Sequence, residues 1–277
     1  HLRERAGNVR LAFERIAVLL IGVEYWCRGL ARWQDLSPAY VAALGGATLL
    51  CLLAFVPALR RGAFLGLAAT HAFTVWNEFP AAGNHAYLEV MVCLLAASLD
   101  PRRASDRVLY VAATRWMAVV ILFWSGVQKL VHGYYFRAEY FAFSLWIESF
   151  RSVFRVLLPG AEYARLTAFT GAPGDGPYAV ASPLVVAISN LTWIAEIGLA
   201  PLLLWPRTRR YAVLTAAGLI VAIEVAAREA FFGLLYVNLI LTFLETRLAT
   251  RLVAPAAALL AAMLLVRVGW LPPVTFY

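Results

Sequence analysis

Long apolar runs alternate with short charged connections along almost the whole chain. The runs cover roughly 11–30, 39–58, 63–79, 85–99, 108–131, 183–205, 211–227, 230–245 and 252–270. A helix needs about 20 mainly apolar residues to cross the hydrocarbon core of a bilayer. The pattern therefore predicts an all-α integral membrane protein, a polytopic bundle of eight to nine transmembrane helices forming a single domain over residues 1–277. One segment breaks the pattern. Over 140–158, aromatic residues alternate with Glu148, Arg151 and Arg155, the signature of an amphipathic helix lying on the membrane surface. The stretch that follows, 159–182, holds Pro159-Gly160, Gly171, Pro173-Gly174 and Gly176-Pro177 and reads as a long loop.

Composition agrees with this pattern. The chain is 62% hydrophobic and 14% charged, with a mean hydropathy of +0.74, where soluble domains average about 45–50% and about 25%. The net charge of +8 comes from arginines in short clusters between apolar runs, which is a topology signal and not a nucleic-acid footprint. Arg3, Arg5 and Arg10 precede the first run. Arg60 and Arg61 follow the second, and Arg102, Arg103 and Arg107 the fourth. Arg207, Arg209 and Arg210 follow the sixth, and Arg247 and Arg251 the eighth. Every second connection is thus the basic one, although Arg28, Arg32, Arg137 and Arg228 fall on the other side. The rule predicts a cytoplasmic N-terminus, with the loop 159–182 and the C-terminus outside an inner membrane. The stretch from Arg10 to Leu30 lacks a small-residue cleavage site and carries Glu24, Trp26 and Arg28, so it reads as a retained span rather than a signal peptide. Cys27, Cys51 and Cys93 lie within apolar segments, as small core residues do. No soluble C-terminal domain is expected after the last span.

Candidate chemistry begins with Lys129, the single lysine among 24 basic residues. It follows Val119-Val-Ile-Leu-Phe-Trp-Ser-Gly-Val-Gln128, at the outer end of the fifth run. Arginine does not deprotonate in proteins, whereas a desolvated lysine does, so a lysine here is a candidate base. Ionisable residues in spans are costly and usually face the bundle interior. Topology places Glu24, Asn77, Glu78, Asn84, His85, Lys129, Asn190 and Glu224 in the outer half. His85 and Glu89 are four apart on one helix face, as are His71 and Glu78 at seven. Short connections bring the third, fourth and fifth spans together, so Lys129, Asn84 and His85 form a candidate catalytic set. Glu78, Trp124 and His132 are candidate cofactor contacts around them. Plainer readings stand beside these. A lysine near the end of a span also snorkels to the interface, His71 also suits a helix-packing hydrogen bond, and Glu196 and Glu224 suit helix pairing. No metal-ligand spacing, phosphate loop or nucleophile elbow is present, and no metal is expected.

Three stretches carry a resemblance. The first is Asn84-His-Ala-Tyr-Leu88, opening a run that ends in Ser98-Leu-Asp100. The second is Trp124-Ser-Gly-Val-Gln-Lys-Leu130. The third pairs Trp193-Ile-Ala-Glu-Ile-Gly-Leu-Ala-Pro-Leu202 with Arg228-Glu-Ala-Phe-Phe-Gly-Leu-Leu235. In order and spacing they resemble the membrane domain of vitamin K-dependent gamma-carboxylases and their bacterial relatives, the HTTM (horizontally transferred transmembrane) domain proteins. The resemblance implies that Lys129 is the base toward a reduced, vitamin K-like quinone, with Asn84 and His85 at the same outward-facing site. It implies a lyase-type chemistry using O2 and CO2 on an exported peptide glutamate. The tract Val131-His-Gly-Tyr-Tyr-Phe-Arg137 departs from the acidic-aromatic pattern of the animal enzymes. The expected partners are the lipid bilayer and an exported peptide or separate soluble domain. The alternatives are a non-catalytic membrane scaffold or maturation or immunity partner of a soluble protein and, third, a transporter.

Overall fold

The computed structural model describes residues 2–31, 38–79, 84–145, 148–168, 179–227, 230–244, 251 and 253–267. The described residues are all-helical, with no strand. In chain order the helices are α1 (Leu2–Ala31), α2 (Pro38–Leu53), α3 (Arg60–Glu78), α4 (Asn84–Ser98), α5 (Ala104–His132) and α6 (Glu139–Ser144). They continue with α7 (Glu148–Leu157), α8 (Gly160–Thr167), α9 (Pro183–Leu204), α10 (Arg209–Ala227), α11 (Ala230–Leu241) and α12 (Val253–Arg267). All nine apolar runs are helical, with ends shifted by a few residues, as fraying and capping make usual. The exceptions are the start of α1, nine residues early, and the end of α2, five residues early at Leu53, where the chain tightens into turns before Pro57. Two described helices, α5 and α9, are long and apolar enough to cross a membrane by length and composition. Helix α1 is 30 residues long but carries eight charged side chains, and α2, α4, α11 and α12 have 12 to 16 residues.

The chain divides into two compact units. The first comprises residues 1–116 and 230–275, so it takes α1–α4, the first half of α5, α11 and α12. Its core side chains on α1 are Val9, Phe13, Ile16, Ala17, Leu20 and Ile21, at the three- and four-residue spacing of one helix face. That face meets α2, α11 and α12, while α3 packs along α4. Asn238 of α11 donates its side-chain amide to the Phe13 carbonyl at 3.1 Å. At one end of this unit the arginines satisfy helix-terminal carbonyls. Arg10 donates to Ala96 (3.3 Å) and Leu99 (2.8 Å), Arg60 to Ala54 (3.1 Å), and Arg61 to Ala97 (2.9 Å). Each supplies donors to carbonyls that a helix end leaves orphaned. The basic clusters read as topology signals thus also act as caps.

The second unit comprises residues 117–229, with 276–277. It holds the second half of α5 and α6–α10. Its core gathers Ala142, Leu145, Phe150, Phe154, Leu158, Leu166, Val180 and Val185. Two expectations are corrected here. The amphipathic segment 140–158 is two helices, α6 and α7, rather than one. In α7, Phe150 and Phe154 turn inward at i, i+4 while Arg151 and Arg155 face out, so its amphipathic character stands. The stretch 159–182 is not loop throughout, because α8 occupies Gly160–Thr167. Pro159 is extended and starts it, Ala-Glu-Tyr-Ala-Arg-Leu favours helix, and Leu166 plugs into the core. Arg165 of α8 donates to the Ala179 carbonyl at 2.8 Å, and the Ala181 N–H donates to Glu162, which ties the chain back just before α9. Residues 169–178, where most of the glycines and prolines fall, lie outside the described residues.

Candidate functional site

The site lies within the second unit, where α5 runs against α9. Ser125 and Lys129 are one turn apart on α5 and share a face. Between them sits Gly126, where a Cβ would come 2.7 Å from Ile197 Cγ1, 2.9 Å from the Trp193 carbonyl and 3.0 Å from Glu196 Cβ. Only a hydrogen fits, so glycine allows the two backbones to approach closely. Helix α9 presents a buried face of Val185, Ser189, Thr192, Glu196, Leu199, Ala200 and Leu203, again at helical spacing. Glu196 therefore points inward by its register.

The approach delivers Glu196 to Lys129. Lys129 Nζ donates to Glu196 Oε1 and Oε2, both at 2.8 Å, and to Ser125 Oγ at 2.6 Å. Ser125 Oγ donates in turn to Glu196 Oε1 at 3.3 Å. The lysine side chain is 16% exposed and the glutamate 5%. The Tyr135 ring lies 5.4 Å from Nζ, within cation–π range. Three groups thus surround the ammonium: a carboxylate, a hydroxyl and an aromatic face.

The turn after α5 brings Tyr135 there. Gly133 adopts φ +75°, the left-handed conformation that ends helices, and its N–H bonds to the Lys129 carbonyl at 3.2 Å. Ala138, at φ 55°, holds the same conformation without glycine's freedom and is fully buried. Helix α9 fixes the turn between them. Ser189 Oγ donates to the Tyr135 carbonyl at 2.7 Å, and Asn190 Nδ2 to the Phe136 carbonyl at 3.0 Å. Trp193 Nε1 donates to Asn190 Oδ1 at 3.1 Å, and its ring meets Phe136 edge-on at 5.9 Å. Tyr135 stacks on Tyr140 at 5.1 Å. Burial raises the Tyr135 phenol above its ordinary range, and the neighbouring Tyr140, Glu196 and Tyr134 add to the shift. Tyr135 therefore stays neutral at physiological pH and presents a ring, not a charge.

The residues picked from sequence divide. Trp124 is 56% exposed and meets Phe123 edge-on, and His132 is exposed and stacks on Tyr134 at 5.8 Å. Neither is among the partners of Lys129. Glu78 closes α3 and Asn84 and His85 open α4, all in the first unit, and their side chains lie outside the described residues. The partner that sequence reasoning passed over is Glu196, read as a helix-pairing residue. It does pair helices, and it does so through Lys129. The readable signals were its place on the buried stripe of α9 and the small Ser125-Gly126 pair one turn before the lysine.

The first unit holds a second buried polar cluster. His71 Nδ1 lies 3.1 Å from Glu89 Oε2, joining α3 to α4. Glu24 pairs with Arg28 at 2.6 Å and is hydrogen-bonded to Glu89. The side chains of His85 and Glu78, expected to share helix faces with Glu89 and His71, lie outside the described residues. Among the described residues no group of three or more His, Cys, Asp or Glu side chains could hold a metal ion. No protein family, curated protein or solved structure matches the chain.

Proposed function

We propose that the chain is a polytopic membrane protein of eight to nine spans carrying an acid–base site at Lys129 and Glu196 on its outer side. The membrane reading is supported by an inverted surface. Large apolar side chains such as Trp76, Leu191 and Leu214 point outward, while Arg10, Glu14, Glu89 and Glu196 are buried. Water-soluble proteins distribute these types the other way, and bilayers favour this arrangement.

The observation that carries the chemical reading is the contact of Lys129 Nζ with both Glu196 oxygens. A lysine acts as a base only after its ammonium has given up a proton, and Glu196 is an acceptor already within hydrogen-bond reach. Transfer along that contact yields a neutral amine and a carboxylic acid, and Ser125 holds either state because a hydroxyl both donates and accepts. The amine then takes the proton of a substrate hydroxyl. The surroundings fit a ring-bearing acid of the reduced-quinone type. Tyr135 offers an aromatic face beside the amine, and Phe136, on the same turn and edge-on to Trp193, is partly open. When bound, such a quinol would supply an acidic ring hydroxyl; by resemblance, O2 and CO2 would be the further reactants. The chain's own residues orient the ring, limit water around Nζ and carry one proton.

Lys129→Arg tests this reading, since it keeps the positive charge and removes the base. Membranes containing the wild-type chain should consume reduced quinone, and the variant should lose that activity while expressing and extracting normally. Undiminished consumption by the variant would remove the base assignment. A second reading, a non-catalytic membrane scaffold, is favoured by the same contact, because an ion pair joining α5 to α9 also serves packing alone. It predicts that Lys129→Met combined with Glu196→Leu folds normally and that no quinol is consumed by either protein.

A further inference from the structure

A cleft of about 480 Å³ opens at the arginine-rich end of the first unit, and it has no part in the Lys129 site. Its lining includes the apolar Leu65 of α3 with Leu94 and Ala97 of α4, and the basic Arg61 and Arg102. Leu65 and Leu94 are half exposed. Arg61 spends its Nε on the Ala97 carbonyl at 2.9 Å, which fixes the guanidinium at the rim with its terminal nitrogens turned from that bond. Asp100 also lines the cleft, and its carboxylate is engaged by the Arg102 N–H at 2.9 Å and approached by Arg103 at 3.9 Å. Two arginines against one engaged carboxylate leave the mouth positive.

We propose that this cleft binds the headgroup of an anionic phospholipid, with the phosphate between Arg61 and Arg102 and an acyl chain along Leu65 and Leu94. Guanidinium is suited to phosphate because its planar fork matches two oxygens. Basic pockets between spans at the cytoplasmic face attract anionic lipid, and the apolar floor selects a lipid over a free anion. Gly62 contributes to the fit: no atom lies within 4 Å of where its Cβ would stand, so the absent side chain leaves the mouth open. The proposal rests on the membrane-spanning reading but not on the role of Lys129.

The test uses the full chain in nanodiscs of phosphatidylcholine with and without phosphatidylglycerol, with bound lipid counted by native mass spectrometry after release. Wild-type protein should retain phosphatidylglycerol in preference. Each arginine near the surface is worth roughly a fivefold preference, so Arg61→Gln with Arg102→Gln should lose roughly twenty-five-fold. Arg102→Gln alone, at an exposed position with no side-chain bond to lose, should lose about fivefold and covers the case in which the double variant fails to fold. Gly62→Leu keeps both charges and fills the mouth, and it should also abolish the preference. Equal retention by Gly62→Leu and wild type would show diffuse surface charge and overturn the site. Displacement of the lipid by millimolar inorganic phosphate would overturn the lipid assignment in favour of a free anion. A chain recovered from the soluble fraction would instead overturn the membrane reading itself, whereas membrane extraction without lipid preference would overturn this proposal alone.

Discussion

Two buried ion pairs, one in each unit, use the same kind of contact for opposite ends. In the first unit Arg10 meets Glu14 at 2.6 Å, with Arg60 at 3.6 Å from the same carboxylate. Arg10 also binds two backbone carbonyls and lies over the Tyr110 ring at 4.3 Å. Its cation cannot be neutralised, and its partners are mostly main chain, which does not rearrange. In the second unit Lys129 meets Glu196 with no carbonyl anchor, a rotatable hydroxyl beside it and one side partly open. The first pair is held in place by the main chain, and on the proposed reading the second is the one along which a proton moves. Distance alone does not tell them apart; the cation's chemistry and the rigidity of its other partners do.

The comparison breaks first, and with the largest effect, at Arg10. Arg10→Met leaves Glu14 buried with only its weaker partner and should cost about 3–5 kcal/mol in thermal unfolding of the detergent-solubilised chain. If the loss were below that seen at Glu196, the division into a structural and a chemical pair would not stand. Glu196→Gln comes next. It keeps the shape but weakens charge-assisted bonds, so stability should fall by about 1.5–3 kcal/mol, and quinol consumption should vanish even where the protein remains folded. Gly126→Ala sharpens the contrast further. The added methyl meets Ile197 and the Trp193 carbonyl, and overpacking of this kind costs about 1–2 kcal/mol. Displacing Glu196 from Lys129 by even an ångström should cost activity about a hundredfold, so the catalytic loss should exceed what the stability loss accounts for. The smallest effect is expected at His132→Ala. An exposed histidine stacked only on Tyr134 should matter by less than about 0.5 kcal/mol, and a large drop in quinol consumption would restore it as a cofactor contact.

Most of the helical architecture is legible in the sequence, because apolar periodicity and helix length are local properties. Segment 183–205 against the observed Pro183–Leu204, and 108–131 against Ala104–His132, show how closely. Legibility fails where contacts between helices decide. Nothing within reach of Lys129 along the chain indicates a partner 67 residues away, and nothing along α4 indicates that Glu89 meets His71 of α3. The stretch 159–182 fails for another reason. Its glycines and prolines dominate a reading by composition and mask the eight helix-forming residues of α8 at its start. Lys129 itself was legible because a lone lysine among arginines at the end of a long apolar helix is visible without any neighbour.

The missing side chain at position 126 has a hereditary consequence. A hydrogen there sets the spacing of two helices whose paired side chains lie far apart in the gene, so a change at one codon is judged by the residue at another. Trimming Ile197 relieves one of the contacts that alanine at 126 would make and leaves the Trp193 carbonyl at 2.9 Å, so a selection for restored growth or activity should return changes at Ile197 as partial suppressors. The site would then be inherited as a linked set of positions, with glycine as its least conspicuous member.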